Sequence, residues 1–230
     1  MTRVATPERR RLLDGLADAI LAIRTPHPAR VAIDGVDAAG KTTLADELGE
    51  IIGHRGREVI RATVDRFANP ATVRRQRGVA SAEGYFHDSF DYQSLTAFLL
   101  RPLGPGGSRR YRRESFDIMR DAPIEAPKQV AAADAVLLLD GVFLHRPELD
   151  GWFEYSIYVR AGFDVTVARA EHRDLSNWGS RQAVRDRYEQ RYVPGQRLYL
   201  ASVDPESKAS VVIDNNDPSL PSVVPRAGPR

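Results

Sequence analysis

Gly35-Val36-Asp37-Ala38-Ala39-Gly40-Lys41-Thr42, followed by Thr43 and Leu44, is the stretch whose reading decides the fold. It satisfies G-x-x-x-x-G-K-[ST], and its flanks suit it: Arg30 to Asp34 reads as a strand and Lys41 to Gly53 as a helix. In a strand–turn–helix of this kind, glycines let successive backbone N–H groups turn inward around phosphate oxygens at the positive end of the helix. Lys41, expected as an exposed loop side chain, is placed to reach the β- and γ-phosphates, and the Thr42 hydroxyl to ligate Mg²⁺. An accidental glycine turn would have to match the whole pattern in the right structural setting. Gly35, Val36, Asp37, Ala38, Ala39, Gly40, Lys41, Thr42 and Thr43 are therefore expected to bind ATP or another nucleoside triphosphate.

Outward from this loop, strands and helices alternate. Thr6-Pro7-Glu8 is a helix start, with a hydroxyl N-cap and proline at the first position. Leu12, Leu13, Leu16, Ile20 and Leu21 follow at helical spacing, which predicts a helix over 6–24. Glu58 to Val64 reads as a second strand ending in Asp65, and Tyr92 to Leu100 as a helix closed by Arg101-Pro102. Ala135 to Asp140 is a continuous apolar run, as in a parallel strand buried on both faces, and Tyr155–Val159 and Ser210–Ile213 look alike. The pattern predicts an α/β fold: a doubly wound, mostly parallel sheet of about five strands with helices on both faces. One domain over 1–218 is expected, with a hairpin arm at about 108–122 and a helical lid at about 164–200. Residues 219–230, rich in proline and small side chains, are expected to be disordered.

Composition excludes several classes. The 230 residues are 42% hydrophobic and 28% charged, enough for a substantial core, and contain no cysteine, so thiolate catalysis and disulfides are ruled out. A net charge of +2 is too small to argue for nucleic acid. No apolar run approaches the roughly 18 residues of a membrane span, and Met1 to Ala5 lacks the core of a secretory signal. The expectation is a cytoplasmic protein with no membrane and no nucleic-acid partner, its self-association left open. No Asn-Lys-x-Asp base-reading motif occurs, which speaks against a GTP switch, and the histidines show no metal spacing.

Ligands of open parallel sheets bind beyond the carboxyl ends of the strands. Asp37, Asp65 and Asp140 all fall there. Asp140, ending a Leu-Leu-Leu-Asp run, suits a carboxylate that holds Mg²⁺ directly or through water. Asp65 suits a group that accepts the proton of an attacking hydroxyl. Arg169, Arg173, Arg181, Arg185, Arg187, Arg191 and Arg197 lie between the last two strands, where a mobile flap could neutralise a transferring phosphoryl group. The same residues also suit a solvated helix face paired with Glu171, Asp174, Asp186 or Glu189. A second cluster, Arg109-Arg110-Tyr111-Arg112-Arg113, could line an acceptor pocket, bind an anionic substrate or form a solvated arm.

Together these segments resemble the uridine kinase and phosphoribulokinase group of P-loop kinases, over roughly residues 30–215. The loop Gly35 to Thr43, Asp65-Arg66-Phe67, Asp140-Gly141-Val142-Phe143 and the flap Arg169 to Gly179 carry the match. The resemblance implies an ATP- and Mg²⁺-dependent phosphotransferase acting on a hydroxyl of a small molecule, a nucleoside or nucleoside-like compound first. A sugar phosphate or a pantothenate-like alcohol is the alternative. It gives Asp65 the catalytic proton, Thr42 and Asp140 the metal, and Lys41, Arg169 and Arg173 the transferring phosphoryl. Phe67, Tyr85, His87, Asp88, Tyr111, Phe116, Arg120 and Arg181 are the residues it offers for the acceptor. Departures weaken uridine itself: the Tyr85-Phe86-His87-Asp88 stretch is short, the base-contacting segment reads Phe116-Asp117-Ile118, and a lid arginine expected near Thr166 is missing.

Overall fold

The structure, a computed structural model, describes residues 6–225; residues 1–5 and the last part of the predicted disordered tail, 226–230, lie outside the described residues. A single sheet holds β1 (Ala29–Gly35), β2 (Val59–Thr63), β3 (Val136–Gly141), β4 (Tyr155–Arg160), β5 (Val211–Asp214) and β6 (Ser222–Val223). Their order is β6-β5-β4-β1-β3-β2. The first five are parallel, and the sixth pairs antiparallel with β5. This extra strand falls within the segment expected to be disordered. Its prolines, Pro221 and Pro225, flank the paired residues at a sheet edge, where a missing N–H is tolerated.

β1 and β3 are buried along their whole lengths, so their alternating side chains feed two cores. On one face Val31, Ile33 and Leu138 pack with Leu13, Leu16 and Ile20 of α1 (Pro7–Leu21) and Leu44, Leu48 and Ile52 of α2 (Lys41–His54). On the other, Ala32, Leu137 and Leu139 meet Phe67, Leu99, Phe143 and Tyr85 and Phe86 of α3 (Ala82–Asp88). The α1 stripe is therefore explained by its 3.6-residue period, and the Thr6 hydroxyl caps it by accepting from Arg9 N. Truncating a buried leucine such as Leu138 to alanine should cost about 2–5 kcal/mol.

Between β4 and β5 the chain builds a lid from α4 (Phe163–Arg173), α5 (Arg181–Arg187) and α6 (Val193–Val203). Val167, Ala170, Val184 and Tyr188 form its own small core, and Ala38 of the phosphate loop packs against that core. The arm differs from expectation. Two short ladders, Arg110–Tyr111 with Gln129–Val130 and Phe116–Asp117 with Ala122–Pro123, extend it to residue 130, because its outer ladder closes beyond the expected end. Among the described residues no helix is long and apolar enough to cross a membrane.

Candidate active site

The parallel register brings the chemistry to one edge. Asp140 lies opposite Ile33 of β1 on one side and Thr63 of β2 on the other, so the phosphate loop and the residues after β2 converge on it. Gly40 caps α2 in the left-handed region, at φ 100°, and a Cβ there would lie 2.6 Å from the Asn215 side chain. Asn215 donates to the Ala39 carbonyl at 2.6 Å, fixing the loop from the far side. Lys41 is buried, contrary to the expected exposed side chain; its ammonium donates to the Val36 carbonyl at 2.8 Å across the mouth of the loop.

Thr42 Oγ1 donates to Asp140 Oδ2 at 2.7 Å, and Arg61 Nη2 donates to Oδ1 at 3.0 Å. Two hard oxygen ligands next to a phosphate cradle fit Mg²⁺, which takes few protein ligands and completes its shell with phosphate oxygens and water. Among the described residues no cluster of three or more acidic or histidine side chains offers a richer cation site.

Asp65 begins the short 3-10 turn Val64–Phe67 that follows β2. It lines two clefts at once. One, of about 430 Å³, contains Thr42, Arg61 and Asp140; the other, of about 700 Å³, contains Asp37, Tyr85, Arg173 and Trp178. Asp65 is exposed, and solvent reaches it through both clefts, but many protein atoms surround its carboxyl and thin its water shell. That partial desolvation, then Asp37 and Asp140, push its pKa up to about 6 against the pull of Lys41 and Arg173. A carboxyl at such a junction can take a proton from a hydroxyl held in the larger cleft.

Asp37 is turned toward the larger cleft rather than the phosphates. Its Oδ2 accepts from the Tyr85 hydroxyl and from Gln196 Nε2, each at 2.6 Å. Arg173 lines both the larger cleft and a third one of about 550 Å³, and is bound by Asp174 at 2.7 Å and Tyr188 at 2.9 Å. The Asp174 hydrogen bond raises its pKa, so the charge is permanent. Arg169 lines only the third cleft, donating to the Asn215 and Asn216 carbonyls. That cleft runs from Lys41 and Thr43 to Thr6 and Arg9 of the first helix, with Pro218 and Ser219 opposite. It is continuous with the phosphate loop at Gly40, Lys41, Thr42 and Thr43.

Of the residues offered for the acceptor, Tyr85 lines the larger cleft and the other seven do not. Phe67 is fully buried in the core, and Tyr111, bonded to Gln129, and Phe116 are buried as well. Asp88 is buried and paired with Arg77 at 2.9 Å, while exposed His87 stacks on Phe86. Arg120 and Arg181 are exposed and line none of the three clefts. Apolar packing claims the aromatics, and helix α3 turns only one face to the cleft. Thr166, where an arginine was expected, is buried within α4 and bonds its own helix at Phe163 O. Of the arm cluster, Arg113 lines the cleft at Asp140, and Arg112 lies over the Phe98 ring.

Sequence reasoning missed Asp34, Arg61, Arg74, Arg75, Trp178 and Gln196. Asp34 is fully buried; it accepts from Gly35 N at 2.7 Å and from Leu144 N at 3.1 Å, and meets His145 Nδ1 at 2.7 Å. It thus anchors the loop's first residue to the segment after β3. An acid inside an otherwise apolar strand was the signal for it. The others carry no periodic mark.

The model of the Phosphoribulokinase / Uridine kinase family matches residues 31–216. Uridine-cytidine kinase B of Dictyostelium discoideum is 25% identical over 175 residues, 76% of this chain and 70% of that one. Among solved structures, a possible uridine kinase from Bacillus stearothermophilus superposes with a TM-score of 0.69 at 23% identity, covering 88% of this chain and 97% of that one. D-glycerate 3-kinase from Cryptococcus neoformans does so with a TM-score of 0.60 at 12% identity, covering 90% and 94%. A phosphate loop, a carboxylate beyond β2 and another ending β3 stand in the same chain as that family-wide match. The chain belongs to the phosphoribulokinase/uridine kinase family and is an ATP-dependent small-molecule kinase.

Proposed function

We propose that the chain transfers the γ-phosphoryl group of ATP, with Mg²⁺, to a hydroxyl of a small molecule held in the cleft of Tyr85, Arg173 and Trp178. The observation that carries this reading is the position of Asp65, which lines both the cleft of the phosphate-binding edge and the larger cleft. Thr42 and Asp140 would hold the Mg²⁺, which neutralises phosphate charge. Lys41 turns from the Val36 carbonyl to the γ-phosphate, Arg173 faces the transferring group from the lid side, and Asp65 takes the hydroxyl proton.

The name of the 25% identical relative supports a nucleoside-like acceptor. A specific observation favours the alternative, a hydroxylated and negatively charged metabolite: five arginines line the larger cleft. Incubating the protein with MgATP and a panel of nucleosides and hydroxylated metabolites, with ADP release followed and product mass confirmed, tests the activity. Stoichiometric ADP and a product heavier by one phosphoryl group are expected; ADP without any phosphorylated product would refute it.

A further inference from the structure

The larger cleft is lined by Arg74, Arg75, Arg173, Arg187 and Arg191, against Asp37, Asp65 and Asp174. Two of the arginines are neutralised within the protein: Arg74 by Asp121 at 2.9 Å and Arg173 by Asp174 at 2.7 Å. Among the described residues, no carboxylate lies within ion-pair distance of Arg75, Arg187 or Arg191. Arg187 Cζ lies over the Trp178 ring, 4.3 Å from its centroid, and its Nε donates to the Tyr192 hydroxyl. Arg191 is buried and donates only to carbonyls, to Val79 at 2.6 Å and Arg74 at 3.4 Å, which staples the 74–79 turn to the lid. Burial, with Arg187 and Arg74 nearby, lowers its pKa, so these like charges act on one another. Three cations with no paired carboxylate raise the energy of the empty site, and an entering anion relieves it.

The hydrogen-bonding inventory points the same way. Sugar hydroxyls and a pyrimidine N–H need acceptors, and a carboxylate usually supplies them. In this cleft both oxygens of Asp174 are engaged by Arg173, and Oδ2 of Asp37 by Tyr85 and Gln196. Asp65 stands at the transfer end. Ser89, Asn177 and two tyrosine hydroxyls add neutral groups that both donate and accept, but the charged groups left without a carboxylate partner are guanidinium forks, which match carboxylate and phosphate oxygens.

We infer that the acceptor carries an anionic group, a carboxylate or a phosphate, and that Arg75 and Arg187 grip it while Arg191 positions the turn that bears Arg75. This rests on the proposed kinase activity and names the acceptor's class. The arm cluster Arg109 to Arg113 plays no part in it, since none of its residues lines this cleft.

The test uses the full chain with MgATP and matched acceptors: a small hydroxy acid against its amide, a pentose phosphate against the free pentose, and uridine and cytidine. At least one anionic member should exceed its uncharged partner in kcat/KM by about 100-fold, two charge-assisted contacts being lost in the partner. Arg187→Gln and Arg75→Gln should each raise KM for that acceptor about 10- to 100-fold, with directly measured ATP affinity within about twofold and KM more salt-sensitive in the wild type. The hydroxy-acid and pentose-phosphate arms separate the two anions. Uridine, cytidine or another uncharged alcohol outperforming every anion overturns the inference while leaving the kinase intact. An anionic acceptor whose KM ignores both substitutions overturns the assigned residues. ATP bound with no alcohol phosphorylated overturns the kinase reading and this one together.

Discussion

The Tyr85 hydroxyl donates a 2.6 Å hydrogen bond to Oδ2 of Asp37, joining the wall of the larger cleft to the middle of the phosphate loop. Gln196 of the lid helix α6 reaches the same oxygen at 2.6 Å. Loop, cleft wall and lid therefore meet at a single carboxylate. Burial and this bond hold the Tyr85 phenol well above its ordinary pKa, so it acts as a fixed donor.

Tyr85→Phe keeps the ring contacts with Phe143 and Tyr192 and deletes only the bond to Asp37. A hydrogen bond to a charged group contributes about 1.5–3 kcal/mol, so kcat/KM for the acceptor should fall about 10- to 100-fold. Thermal unfolding should move little. An unchanged kcat/KM would show that Gln196 alone positions Asp37.

Asp65→Asn should reduce kcat far more than it weakens ATP binding, because the amide keeps the shape but accepts no proton. In the wild type, kcat/KM should fall as pH drops through about 6, where the raised Asp65 titrates. The Asn variant should lose that acidic limb. Stability carries its own signature. The folded pKa, about 6, lies above the ordinary 3.8, so the fold binds this proton more tightly than the unfolded chain does. Stability from this group is full below 3.8 and is lost as pH rises through about 6. Asp65→Asn should accordingly raise the unfolding temperature at about pH 8 and not at about pH 3.5. The reverse pattern would refute the shift.

Much of this was legible in the sequence, for physical reasons. The eight-residue loop motif and the apolar run Ala135 to Leu139 report on local backbone and burial, which sequence patterns record directly. Asp65 and Asp140 stand out because a strand end locates a residue without knowledge of its neighbours, and both line the cleft that contains Thr42. The lining of the larger cleft was not legible, because Arg75, Trp178 and Arg187 come from separate segments and meet only in the folded chain. Aromatic residues were misleading there: Phe67, Tyr111 and Phe116 look like ligand contacts in a motif and serve the core instead. The sixth strand was missed because Ser222 and Val223 gain their structure from the free edge of β5.

Lys41→Met preserves the buried stem of the side chain and removes its charge. Loss of a preorganised charge facing the transferring group typically costs about 10²–10³-fold in kcat. The expectation is a folded variant with turnover reduced to that extent. Retention of a tenth or more of wild-type activity by a folded Lys41→Met protein counts against the role given to this residue.

Asp140→Asn should act through Mg²⁺. Its carboxylate holds Thr42 on one oxygen and Arg61 on the other, so the amide disturbs both contacts. The free Mg²⁺ needed for half-maximal rate should rise about 10- to 100-fold, with saturating metal restoring part of the rate. A fall in kcat with unaltered Mg²⁺ dependence would place Asp140 outside the metal site.

Arg9 belongs to a helix outside the residues that match the family. Its guanidinium is buried, bound to Glu47 at 3.0 Å and to the Pro218 carbonyl at 3.1 Å, and it approaches Asn215 Oδ1 at 3.5 Å. Arg9 thereby pins the 215–219 loop against the cleft that leads away from the phosphate loop. A nucleoside leaving the phosphates would lie against that loop, whereas a bare polyphosphate would not reach it. Arg9→Ala should therefore raise the Kd for ATP and ADP about tenfold, the loss of one charge-assisted contact, and leave that for inorganic tripolyphosphate unchanged. Equal weakening of all three would mean that the effect runs through Asn215 and Ala39 into the phosphate loop itself. No weakening of any would reduce α1 to a cover for the sheet, because its apolar stripe on Val31 and Ile33 does not depend on the arginine.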